Sequence, residues 1–182
     1  MQKTLYASDY ARLDSNVQTG GGTDETEILQ SLLDKATSWG SLKLIMDGAA
    51  LVRGLKVHSN TTIECLNKDC GFFLADHADC AVLANDVFSY GERKTRNVTL
   101  IGGTYNHNCL HQAHHIFSDD PAMVSDAPDN GGQAHYTVAM EFIGVENLTV
   151  RDVTVRDQRT FAFTVGNFSR VTIANTWIEL VH

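Results

Sequence analysis

The residues from about Phe142 to Glu179 state one pattern twice. Ile143-Gly144-Val145-Glu146-Asn147-Leu148-Thr149-Val150-Arg151-Asp152-Val153-Thr154-Val155 is followed by Val165-Gly166-Asn167-Phe168-Ser169-Arg170-Val171-Thr172-Ile173-Ala174-Asn175-Thr176-Trp177-Ile178. Gly144 and Gly166 lie 22 apart and Asn147 and Arg170 lie 23 apart, so one unit is about 22–23 residues. Each unit holds short runs with β-branched residues at alternate positions, broken by Gly, Asn or Asp. Alternation sends every second side chain to one face of a strand, and the polar breaks mark turns. A period in this range signals stacked repeats, and strands with no helices between them predict an all-β, right-handed parallel β-helix. Inward Val, Ile and Leu would then stack coil on coil into one core.

Before the strands, the pattern changes to helical spacing. Asp24 is placed to cap a helix, with Glu27 completing an acidic capping box, and Ile28, Leu29, Leu32, Leu33 and Ala36 share one face. Gly40 stands where a C-terminal cap belongs. One domain over 1–182 is therefore expected: an irregular lead-in over 1–19, a capping α-helix at 24–40, first coils at 41–105, an inserted loop at 106–134, and regular coils at 135–182. Strands are expected at Leu42–Met46, Leu55–Val57, Thr61–Cys65, near Phe72–Leu74 and Ala81–Leu83, and across Asn97–Tyr105.

Composition narrows the function classes. The net charge of −8 supplies no surplus of cations to neutralise phosphates, so nucleic acid is not expected as a partner. No apolar run reaches the length of a membrane span. The N-terminal residues lack the apolar core of a signal peptide, which leaves a cytoplasmic chain or a secreted chain already trimmed. Cys65, Cys70, Cys80 and Cys109 show no paired metal-ligand spacing and read as buried free thiols, with a Cys70–Cys80 disulfide as the secreted-chain alternative. Four Asn-x-Thr/Ser triplets, at Asn60, Asn97, Asn147 and Asn167, match the glycosylation sequon. Their recurrence at strand entries favours turn chemistry.

The ordered motifs resemble glycoside hydrolase family 28, the polygalacturonases and their relatives in the pectin-lyase-like superfamily. Thr23-Asp24-Glu25-Thr26-Glu27-Ile28 looks like the family's helix start, and Leu55 to Ile63 resembles its paired strands around Ser-Asn. Gly102-Gly103-Thr104-Tyr105-Asn106-His107-Asn108 is similar to its Gly-Gly-Thr turn. Val138 to Phe161 follows the stretch that leads toward its catalytic coils, and the likeness covers residues 20 to 180 in order. His135-Tyr136 replaces the family's usual Arg-Pro, and Gln158-Arg159-Thr160 replaces its Ser-Pro. The resemblance implies inverting hydrolysis of glycosidic bonds in pectin-type polysaccharides, built on galacturonic acid or rhamnogalacturonan. It also implies catalytic aspartates on coils beyond His182, so the chain reads as the N-terminal half of such a protein.

Inverting hydrolysis needs an acid and a base on opposite faces of the sugar, roughly 6.5–9.5 Å apart, and no such aspartate row can be assembled from Met1 to His182. Asp119-Asp120 precedes Pro121 inside the inserted loop and reads as a solvated acidic segment. What this segment is expected to supply is substrate binding. Arg159 could hold a sugar carboxylate bidentately, beside Gln158; Tyr136 could stack on a sugar ring, beside His135; and His107 and His111 could contact hydroxyls. His114 and His115 extend that histidine group, but no fixed Cys/His signature accompanies it, and neither a metal nor a cofactor is expected. The partner implied is a poly- or oligosaccharide, with an oligomer left open. The alternatives are a non-catalytic glycan-binding β-helix of the adhesin or tail-spike kind, and a polysaccharide lyase or epimerase.

Overall fold

The computed structural model describes residues 2–112 and 138–181. Its strands form three sheets, all parallel. The first contains β1 (Lys3–Tyr6), β2 (Leu42–Met46), β5 (Thr61–Cys65), β8 (Thr95–Ile101), β11 (Val145–Arg151) and β14 (Ser169–Ala174). The second contains β3 (Ala49–Val52), β6 (Gly71–Leu74), β9 (Thr104–Asn106), β12 (Thr154–Arg156) and β15 (Trp177–Glu179). The third contains β4 (Leu55–Val57), β7 (Leu83–Asn85), β10 (Met140–Ile143) and β13 (Phe163–Gly166). The chain visits the sheets in rotation, so every third strand from β2 onward adds to the same sheet.

Alternation decides what goes inside. Leu42, Leu44, Met46, Ile63, Leu100 and Val150 point inward from the first sheet. They meet Phe72, Tyr105 and Val155 from the second, and Leu55, Leu83, Met140 and Phe142 from the third, in one continuous cluster. Burying each such side chain stabilises by about 1.5–3 kcal/mol. Phe72 and Tyr105 sit on successive layers with ring centroids 5.2 Å apart and planes tilted by 47°, a geometry aromatic quadrupoles favour.

The helix α1 (Thr26–Trp39) puts Leu29, Leu32, Leu33 and Ala36 into that core, while Ile28 stays exposed. It ends at Gly40 with φ +79°, a left-handed conformation that glycine adopts without a Cβ penalty. Its start differs from expectation. Glu25 is the cap residue and makes no side-chain cap bond, because its carboxylate is drawn into the interior to accept from the Arg12 amide at 3.1 Å. Asp24 still serves the helix by accepting from the Thr26 amide at 3.0 Å.

The expected fold class needs correction. An all-β, right-handed parallel β-helix of about 22–23 residues per coil is not what the structure shows. Three separate all-parallel sheets surround a core that an α-helix helps to build, and the chain has α and β content together. The spacing is not uniform either. Along the first sheet, partnered residues are 19 (Leu42 to Thr61), 37 (Thr62 to Thr99), 50 (Val98 to Leu148) and 23 (Leu148 to Val171) apart. Only the last step has the period read from the repeat. The pectin-lyase-like description rested on that uniform solenoid and is withdrawn with it.

Two strands were not foreseen. The lead-in contains β1, a short edge strand paired with β2 and exposed along most of its length. Ala49-Ala50 gave little strand signal, yet β3 forms because residues 14 to 24 lie over it, bridging Asp14 to Ala49 and Asp24 to Leu51.

One corner repeats its chemistry from layer to layer. Asn60, Asn97, Asn147 and Arg170 all have φ between 57° and 61°, at the entry from the third sheet to the first. The Asn97 amide donates to the Asn60 side-chain oxygen at 2.7 Å, the Asn147 amide to Asn97 at 2.9 Å, and Arg170 Nε to Asn147 at 2.5 Å. Asn tolerates the left-handed region better than most residues, so the same residue turns the backbone and bonds the layers together. Asn167, the fourth sequon asparagine, instead donates to the Ser89 and Gly91 carbonyls.

Candidate functional site

A second corner, where the chain leaves β6, β9 and β12 for the third sheet, has no such repetition. The segments after these strands differ in length and carry different polar residues. His107, Asn108 and the short 3₁₀ turn Cys109–His111 follow β9; Asp157, Gln158 and Arg159 follow β12; Asp76 to Cys80 follow β6.

Four of the residues singled out from the sequence fall here. His107 is fully buried. Its Nδ1 accepts the Arg159 backbone amide at 3.1 Å, and its Nε2 lies 3.2 Å from the Cys80 carbonyl. An acceptor at Nδ1 and a carbonyl at Nε2 define the neutral tautomer with its proton on Nε2. Burial drives its pKa down to about 4, against the small opposing effect of the Cys80 carbonyl. His107 is thus a neutral ring that joins two turns.

Arg159 is 4% exposed. One nitrogen, Nη1, reaches the Cys109 carbonyl at 3.4 Å, while Nε and Nη2 have no hydrogen-bond partner among the described residues. Burial lowers its pKa from the ordinary arginine value. The buried Oε1 of neighbouring Gln158 is also unpaired. A buried guanidinium without a carboxylate is costly, and folding has left two donors of this one unused. Cys109, beside it, is a thiol that burial pushes up to about 11.

On the other side of the same turn, His111 lines a cleft of about 360 Å³ with Arg53, Phe73, Asp76 and Asn108. Asn108 Nδ2 donates to the Asp76 carboxylate at 2.8 Å and to the Leu74 carbonyl at 3.1 Å. Arg53 is tied to Asp24 at 3.2 Å. His107, His111, Gln158 and Arg159 are therefore gathered at one corner, with His111 on the cleft and the other three packed behind the turn. His135 and Tyr136 lie outside the described residues, as do His114, His115, Asp119 and Asp120.

Sequence reasoning passed over two polar groups. Glu141 stands half-buried on the outer face of β10, where burial raises its carboxyl pKa and Lys56 partly offsets this. His58 lies between β4 and β5, and its two nitrogens contact Asp86 at 2.7 Å and Asp34 at 2.8 Å. The signal for both was spacing across layers, which needs the register. Among the described residues no cluster of His, Cys, Asp or Glu has the arrangement of a metal site, and the four cysteines are free. No helix among them is long and apolar enough to cross a membrane.

No family model matches this sequence, and no curated protein does. Among solved structures, the fold is similar to that of a candidate glycosyl hydrolase from Parabacteroides merdae ATCC 43184, with a TM-score of 0.72 and 16% sequence identity over 97% of this chain and 75% of the other. At this identity the likeness establishes a shared fold.

Proposed function

We propose that this chain is the substrate-recognising part of a glycoside hydrolase acting on pectin-type poly- or oligosaccharides that contain galacturonic acid or rhamnogalacturonan. The observation that carries the proposal is Arg159, a buried guanidinium with two unused donors. A planar uronate carboxylate matches that fork and would complete its hydrogen bonds. The similarity in fold to a candidate glycosyl hydrolase supports a carbohydrate substrate in general. In this reading hydrolysis is inverting, which takes a pair of carboxyl groups roughly 6.5–9.5 Å apart. The residues around Arg159 hold the sugar; they do not cleave it.

Calorimetric titration of the chain with oligogalacturonate and with a neutral hexasaccharide tests this. The charged sugar is expected to bind and the neutral one not to compete with it. Arg159→Leu is expected to weaken the charged sugar by at least about tenfold, and Arg159→Lys to recover only part, since an ammonium lacks the bidentate fork. Equal binding of oligogalacturonate by the native chain and Arg159→Leu would refute the assignment.

A further inference from the structure

A cavity that the preceding reading does not use lies at the remaining corner, between the first and second sheets. It has a volume of about 600 Å³, within the range of small-ligand sites. Its origin is a mismatch of loop lengths. The connections after β8, β11 and β14 have two residues each, whereas Leu66 to Cys70 separate β5 from β6. The longer loop overhangs its short neighbours and leaves a groove beneath it. Gly102 and Gly103 form part of the floor; a Cβ on Gly103 would stand 2.4 Å from Cys65 Sγ, and one on Gly102 2.7 Å from the Cys65 carbonyl.

The lining is chemically specific. Trp177 projects outward from β15, 56% exposed, in the same row as Thr154. An indole face held in a groove is a platform for the C–H face of a pyranose ring. Around it stand Asn67, Lys68, Asp152 and Glu179. The Lys68 ammonium has no ion-pair partner among the described residues. The Asn67 side-chain oxygen is used by the Asp69 amide at 2.8 Å, which leaves its NH₂ for a ligand. Asp152 is held by Arg151 at 2.9 Å and by the Asn175 side-chain amide at 3.3 Å, and Glu179 by Arg156 at 3.2 Å. Donors (Asn67, Lys68) and acceptors (Asp152, Glu179) thus line the same groove as an aromatic face, and sugar hydroxyls need both. Glu64, Asp152 and Glu179 are each ion-paired, with Lys43 at 2.7 Å, Arg151 at 2.9 Å and Arg156 at 3.2 Å, so the lining offers no unpaired guanidinium fork to a uronate carboxylate and its fixed polar groups suit neutral hydroxyls.

We infer that this groove is a second carbohydrate site, specific for a neutral pyranose chain stacked on Trp177. It does not depend on the Arg159 reading, and its preference is the reverse. The chain carries two indoles, and Trp39 is occupied by Lys3 at 4.3 Å and Lys35 at 5.6 Å.

The test is a ¹⁵N-correlated NMR titration of the 182-residue chain with cellohexaose, xylohexaose, a galactan-derived hexasaccharide and hexagalacturonate. The Trp177 indole peak is identified by its loss in Trp177→Phe. At least one neutral hexasaccharide is expected to move that peak saturably, with a Kd below about 10 mM, while hexagalacturonate leaves it in place. Trp177→Ala is expected to weaken binding at least tenfold, Trp177→Phe about threefold, and Lys68→Met between the two. Should Trp177→Ala fail to fold by circular dichroism, Trp177→Phe and Lys68→Met decide the outcome. No saturable shift with any neutral hexasaccharide overturns the inference, as does unchanged binding in the variants or a Trp177 shift caused by hexagalacturonate alone. Shifts from hexagalacturonate that vanish in Arg159→Leu belong to the other site, so the two readings fail separately.

Discussion

The asparagine corner and the Arg159 corner belong to the same stack of strands and follow opposite rules. At the first, Asn60, Asn97, Asn147 and Arg170 do the same work on successive layers, and each donor finds the acceptor of the layer before it. At the second, every layer presents a different residue, and Arg159 Nε, Arg159 Nη2 and Gln158 Oε1 are buried without partners among the described residues. Repetition in a layered fold satisfies polar groups at low cost, because neighbours present the same geometry. A corner that abandons repetition gives up stability there, and the ligand is the natural place to recover it. The comparison can be broken at several points.

The largest effect is expected in the ladder. Asn97→Ala removes hydrogen bonds to both Asn60 and Asn147 and forces alanine to φ +57°. Two bonds at about 1 kcal/mol each and about 1 kcal/mol of left-handed strain predict a loss near 3 kcal/mol in urea unfolding. A loss below about 1 kcal/mol would mean that the ladder is ornamental.

Acid should find the other corner through His107. Its folded pKa is depressed to about 4, so between there and its ordinary value near 6.5 the unfolded chain binds the proton and the folded chain does not. Stability from this group is complete above about pH 6.5 and falls as pH drops toward 4, by roughly 2–3 kcal/mol. His107→Gln should flatten that part of the pH–stability curve; an unchanged slope would refute the buried neutral ring.

Arg159→Leu should stabilise the chain by about 1 kcal/mol, since it removes an unpaired buried charge, while it abolishes uronate binding. Loss of stability instead would show that Arg159 is a structural strut.

His58 has the reverse sign from His107. Asp34 and Asp86 hold its protonated form and raise its pKa against the effect of burial. Its contribution is therefore full below the unfolded pKa and fades as pH rises through the folded one, and solvent screening keeps it under about 1 kcal/mol. Thermal unfolding of His58→Gln against the native chain between pH 5 and 8 should show the gap closing upward. The smallest change expected is Arg170→Asn, which replaces a ladder cation by the ladder's own residue and should stay within about 0.5 kcal/mol.

What could be read from the sequence follows the same division. Leu42–Met46, Leu55–Val57 and Thr61–Cys65 are strands as their alternation indicated, and Gly40 closes the helix. Asn60, Asn97 and Asn147 were identified as turn residues from recurrence alone, which works because a repeated turn needs a repeated side chain. The fold class was misjudged because one regular stretch, 142–179, was extended to a chain whose other steps are 19, 37 and 50 residues long. At the site, Arg159 was named from a resemblance and His107 from a group of histidines, but their burial was not foreseen. Whether a turn residue faces water or the layer behind it depends on the length of the neighbouring loop, which no local pattern encodes. Glu141 and the cavity under Leu66–Cys70 were missed for the same reason: each exists only between layers.

The ladder also bears on how such a chain can change over generations. Each rung tests alignment only where two layers meet, and it is indifferent to what the chain does before returning. Asn60 and Asn97 pair across 37 residues and Asn97 and Asn147 across 50, with bonds of nearly equal length. Loop closure adds only about 0.6 kcal/mol for each doubling of an excursion. A lineage built this way can lengthen one excursion, or replace it entirely, without renegotiating the register of the rest. Novel recognition surfaces can then be acquired one loop at a time on an unaltered scaffold.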